Sequence, residues 1–115
     1  MTQNRVSIDD IRREVDSLFG DLIIDLGDGS SVRLRNGLRL PEDRRRTLEG
    51  LQKRLDSVAS GDDLKKTLVE IIRTVAEDGQ ADRLLTVFSD PASLLAIVRL
   101  YGTRTQLGEA SRSAV

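Results

Sequence analysis

Three places in this 115-residue chain carry residue types from which chemistry could be built. The first is Leu26-Gly27-Asp28-Gly29-Ser30, whose glycines and acid invite comparison with loops that cradle phosphate or calcium. A phosphate loop needs Gly-x-x-x-x-Gly-Lys-Ser/Thr opening a helix, and a calcium loop needs acids at alternate positions closed by a distal glutamate. Here no lysine is present and an alternating, strand-like stretch follows, so the segment reads as a hairpin turn in which glycine supplies positive φ. The second is Arg44-Arg45-Arg46, with Arg33, Arg35 and Arg39 near it in sequence, dense enough to meet phosphates or an acidic protein surface. Acids Glu42, Asp43 and Glu49 flank the run, and the only aromatics are Phe19, Phe88 and Tyr101, so no platform for base stacking lies nearby. A solvated helix face is the first expectation, an acidic protein partner the second, nucleic acid the last. The third is the set of acidic pairs Asp9-Asp10, Asp62-Asp63 and Glu77-Asp78. The first two fall at helix starts, where acids cap or oppose the dipole, and the last is expected simply to be solvated.

Histidine and cysteine are both absent from the sequence. That removes the usual proton-transfer side chain near neutral pH, the common ligands of catalytic zinc, thiolate nucleophiles and disulfides. Asp, Glu, Lys, Tyr, Ser and Thr remain, and they offer no nucleophile, base and orienter at readable spacing. The chain is therefore expected to be no enzyme and to take no cofactor and no metal.

The elements that position these residues follow from periodicity. Ser7 with Asp10 makes a weak capping box, after which Ile8, Ile11, Val15, Leu18 and Phe19 recur at helical spacing until Gly20. From Asp21 the period becomes two. Asp21 to Leu26 and Ser31 to Arg35 alternate around the glycine turn, predicting a hairpin over 21–35 with Leu22, Ile24 and Leu26 on the same face as Val32 and Leu34. The predicted register sets Leu26 opposite Val32, Ile24 opposite Leu34 and Asp25 across from Arg33, through a three- or five-residue loop or a bulge. Asn36-Gly37 signals another reversal, and Leu38-Arg39-Leu40 a short third strand stopped by Pro41. Pro41 with Glu42 and Asp43 opens a helix whose Leu48, Leu51, Leu55 and Val58 form a thin seam. After Ser60-Gly61, Asp62 is expected to cap a core helix carrying Leu64, Leu68, Ile71, Ile72 and Val75, ended by Gly79. A short helix over 81–88 and a last one opened by Asp90-Pro91 complete the order. The fold class is α+β and mostly α-helical: an N-terminal helix, one hairpin, then three to four helices, with residues 7–102 as one domain between tails at 1–6 and 103–115.

Net charge is −1 with 32% charged residues, so no bulk asymmetry points to a partner. No signal-peptide pattern and no run of 18 apolar residues occur, which predicts a soluble, unexported protein with no membrane partner. A lone hairpin leaves its edges open, and the last helix is apolar nearly all round, with Leu94, Ile97, Val98 and Tyr101 on one stripe, Leu95 at its edge and Leu100 opposite Val98. Both look incomplete in a monomer, so a homo-oligomer is expected. Partner binding is placed on Leu94, Leu95, Ile97, Val98, Leu100 and Tyr101.

The order of these pieces resembles the tail assembly chaperones of long-tailed, siphovirus-type bacteriophages, chiefly those infecting actinobacteria. The likeness rests on Leu26-Gly27-Asp28-Gly29-Ser30-Ser31-Val32-Arg33-Leu34-Arg35-Asn36, on Leu38-Arg39-Leu40-Pro41-Glu42 and on Gln106-Leu107-Gly108-Glu109-Ala110-Ser111. It implies a protein that coats the long, aggregation-prone tape measure protein in the host cytoplasm while the tail tube grows, and that is absent from the mature virion. It also implies a longer, frameshifted form of the same protein as a partner, this chain being the short form. It supplies no catalytic residues. The alternative function is a small structural or head-tail adaptor subunit of the virion.

Overall fold

The computed structural model describes residues 4–58 and 60–105. Helix α1 (Ile8–Leu18) is followed by a hairpin of β1 (Leu22–Asp25) and β2 (Ser31–Leu34), a 3-10 turn at Gly37–Arg39, then α2 (Glu42–Asp56), α3 (Gly61–Val75), α4 (Ala81–Val87) and α5 (Pro91–Thr105). This is the mostly helical α+β arrangement expected. Helix α3 is its axis, packing against α2, α4 and α5. Its buried Leu68, Ile71, Ile72 and Val75 meet Leu48 and Leu51 of α2, Leu84 of α4, Leu94, Ile97 and Tyr101 of α5, and Val32 and Leu34 of the hairpin in one core.

The hairpin alternates as its sequence requires, with Val32 and Leu34 buried and Leu22, Ile24 and Leu26 packed against the core. Its register differs from the expected one by two residues: Leu22 faces Leu34, Ile23 faces Arg33, Ile24 faces Val32 and Asp25 faces Ser31. The turn sets this shift. The Asp28 carboxylate accepts the Ser30 N–H at 2.9 Å. Gly27 and Gly29 take φ values of 84° and 90°. That tight tip lets the Leu26 N–H donate to the Ser30 carbonyl at 3.0 Å, so Leu26 opposes Ser30 and not Val32. Asp25 accordingly misses Arg33. The outer edge of β2 is covered as well, because Arg35 N–H donates to Val75 O and Glu77 N–H to Arg33 O, drawing the end of α3 alongside it. That leaves β1 as the open edge of the pair.

Several ends fall elsewhere than the sequence indicated. Leu38-Arg39-Leu40 forms no third strand; Asn36 Oδ1 accepts the Leu38 N–H at 3.0 Å and winds the backbone into the 3-10 turn. Helix α3 is capped by Ser60, whose hydroxyl accepts the Asp63 N–H at 3.1 Å, and not by Asp62. It ends at Val75, before Gly79, because Ala76 bridges to Leu34. Pro41 caps α2 from outside, with Glu42 the first helical residue. Helix α5 continues past Gly102 to Thr105, which is buried. Residues 106–115, including the Gln106 to Ser111 likeness, and residues 1–3 lie outside the described residues.

Candidate functional site

The six α5 residues divide sharply. Leu94, Ile97 and Tyr101 are buried in the core, Leu95 and Val98 are half-buried against it, and Leu100 alone is exposed, at 50%. Tyr101 is fixed by its hydroxyl, which donates to the Arg35 carbonyl at 2.8 Å. Burial, with the nearby Asp21 carboxylate adding to it, pushes the Tyr101 phenol well above the usual tyrosine range. On the surface, then, α5 offers Leu100 at the end of an exposed row with Ala92 and Ala96 at i, i+4 spacing.

Among the described residues, α1 carries three of the exposed large apolar side chains on one helix. Ile8 is 67% exposed, Ile11 55% and Leu18 44%, with Val15 half-exposed between them, and no residue of the helix is buried. These four sit at 3, 4, 3 spacing on one side of the helix. The helix begins with a complete capping box, Ser7 and Asp10 exchanging hydrogen bonds of 3.0 and 3.1 Å. Among the described residues it makes no extensive contact with any other element.

At the root of α1 the chain is tightly knotted. Asn36 is buried; its amide donates to the Thr105 carbonyl at 2.6 Å, and its own N–H donates to Asp21 Oδ1 at 2.8 Å. The nearly inaccessible Asp21 carboxylate meets Arg33 at 3.1 Å and Arg39 at 3.6 Å, and Arg39 reaches on to Asp16 of α1 at 3.1 Å. So the first helix, the hairpin, the 3-10 turn and the end of α5 are tied at one point. Beside that knot opens a cavity of about 290 Å³, with Phe19, Leu38, Leu48 and Tyr101 as its apolar wall and Arg45, Glu49 and Gln52 on its α2 side. Leu38 stands 59% exposed at its edge, presented there by the turn that Asn36 caps.

Most of the arginine cluster is neutralised from within. Arg33 pairs with Asp21 and Glu77, Arg39 with Asp16 and Asp21, Arg44 with Asp78 at 3.0 Å and Arg46 with Glu42 at 2.7 Å. Among the described residues only Arg35 and Arg45 of the six have no ion-pair partner. Glu77 and Asp78, expected to be merely solvated, therefore hold arginines. Asp10 and Asp90 cap helices, and together with Asp28 in the turn they lie below the ordinary carboxylate value because backbone and side-chain donors at Ser7, Ser93 and Ser30 favour the charged form. Among the described residues no helix is long and apolar enough to cross a membrane.

Sequence reading missed Asn36, Asp21 and Leu38. Asn36 was visible only as half of an Asn-Gly turn signal, and nothing in its neighbourhood marks it as buried. Asp21, at the change of period, carried no signal of burial either. Leu38 sits in a Leu-x-Leu alternation that predicts a strand, whereas the backbone there is the 3-10 turn.

Comparison with curated proteins and with solved structures returns no match. A family model described as mycobacteriophage tail assembly protein matches residues 1–110, nearly the whole chain, and the chain belongs to that family.

Proposed function

We propose that this tail assembly protein is a chaperone that binds the tape measure protein and keeps it soluble while the tail is built, as the short product beside a longer frameshifted form, in the host cytoplasm and outside the finished virion. The observation that carries this reading is the family match over residues 1–110, which places the chain in tail assembly. In this reading the protein acts by binding, and its surface chemistry fits that: exposed apolar residues on α1 and α5 beside arginines that are mostly paired within the chain. A holding protein must bind apolar helical segments weakly and repeatedly, which suits shallow ridges more than deep pockets. The ridge proposed on α5 is Leu100, with Ala92 and Ala96 letting a partner helix approach and the half-buried Leu95 and Val98 beside it; Leu94, Ile97 and Tyr101 support it from the core.

The test is coexpression of the full chain with its tape measure protein, read as the soluble fraction of the latter. Wild type is expected to raise that fraction and Leu100→Asp to reduce the gain. No gain with wild type contradicts the chaperone reading, and an undiminished gain with a folded Leu100→Asp variant removes α5 as the binding ridge. Mass spectrometry of purified virions is expected to find the protein missing; stoichiometric presence would favour a structural or adaptor subunit instead.

A further inference from the structure

Helix α1 and the cavity at its root are two incomplete halves of one contact. The helix has only eleven residues, and helices shorter than about 12 to 15 residues are marginal in water without tertiary packing. Among the described residues, its seam of Ile8, Ile11, Val15 and Leu18 receives no extensive packing of that kind. The cavity, about 290 Å³ and open to solvent, has an apolar wall of Phe19, Leu38, Leu48 and Tyr101 and room for a branched aliphatic side chain or two. The outer half of the seam does not reach its own cavity. Phe19 lies in the cavity wall, so at 1.5 Å per residue Ile11 and Ile8 are carried roughly 12 and 17 Å away along the helix axis, and the Arg39–Asp16 ion pair holds the helix base in place.

We propose that the apolar seam of α1 from a second copy packs over this cavity and inserts a side chain into it, each copy donating its helix to the other about a two-fold axis. Two observations point to a second copy as the occupant. Both the seam and the hole are present on one chain, and a closed two-fold arrangement uses each of them once per copy, filling the hole and covering the part of the seam that faces it. Charge bears on the pairing too: Glu14 borders the seam, and Arg45 is the one basic residue lining the cavity, with Glu49 one turn on; among the described residues none of the three has an ion-pair partner, although Arg44 and Arg46 on either side of Arg45 do. Exchange puts Glu14 of each copy beside Arg45 of the other. Leu100 takes no part, so the dimer and the holding of the tape measure are separate properties.

Sedimentation equilibrium of the full chain alone tests this with surface variants that leave the core untouched. Wild type is expected to be a dimer at tens of micromolar. Glu14→Arg and Arg45→Glu should each weaken the dimer about tenfold, because each sets like charges together at both contacts. An equimolar mixture of the two variants should recover wild-type affinity, since every contact in the mixed dimer again joins opposite charges. Ile11→Asp, with its circular dichroism checked for the remaining helices, should be monomeric. A wild-type monomer at about 100 µM overturns the proposal and leaves the seam to a different protein. A dimer that Arg45→Glu does not weaken, or a mixture no tighter than its components, overturns it in favour of seam-to-seam pairing.

Discussion

Helices α1 and α5 are both rich in apolar residues, and the fold treats them in opposite ways. α1 segregates its isoleucines, valine and leucine cleanly from its charges, yet buries none of them. α5 has little segregation, being apolar nearly all round, and sends Leu94, Ile97 and Tyr101 into the core while Ala92, Ala96 and Leu100 face water. Amphipathic spacing therefore identifies a face that needs cover, but it does not say that the cover belongs to the same chain. The helix with the sharper pattern is the one left open among the described residues.

If that contrast is correct, the two helices should respond very differently to truncation. Leu94→Ala removes a fully buried side chain and should lower unfolding free energy by about 3 kcal/mol in urea titration. Ile11→Ala, measured at high dilution, should change it by less than about 0.5 kcal/mol, as expected of a solvated position. Equal effects would dissolve the distinction. The knot between the two regions should matter next: Asn36→Ala leaves the Thr105 carbonyl and the Leu38 N–H without their side-chain partner and should cost about 2 kcal/mol by the same titration. Smaller still, Ser7→Ala removes the α1 cap and should weaken that helix by about 1 kcal/mol, seen in amide exchange of α1 and not in global unfolding.

Acid sharpens the contrast in another way. The carboxyls of Asp10, Asp28 and Asp90 are lowered from the ordinary 3.8, so the unfolded chain takes up protons at higher pH than the folded one. Their contribution to stability is complete above that value and is lost as pH falls through the lower folded values. Because Asp10 caps a helix with no core contacts, α1 should fray first as pH falls below about 4, visible as loss of α1 amide signals before those of α3. Simultaneous loss would show that α1 is bound to the core.

Much of this architecture was legible in the sequence. The change to period two at Asp21, the glycine turn, Asp90-Pro91 and the α3 stripe each encode a local choice that the core then reinforces. The hairpin register was not, because parity follows from the side-chain pattern whereas the offset depends on how tightly Asp28 and its two glycines close the tip. The 3-10 turn hid behind Leu-x-Leu alternation and depends on a single Asn36 side chain. The candidate surface was the least legible part. Ile8, Ile11, Val15 and Leu18 look the same in sequence whether they line a core or await a partner, and only the packing of the other helices decides that they are left out. On α5 the absence of charges concealed the opposite fact, that most of its stripe is already in use.

The central claim is that α1 is completed from outside its own chain, and amide hydrogen exchange across a dilution series tests it most directly. At about 100 µM the α1 amides should be protected, and at about 1 µM they should exchange near the free-peptide rate, while α3 amides stay slow at both concentrations. Protection of α1 that is equally strong at both concentrations would contradict the account.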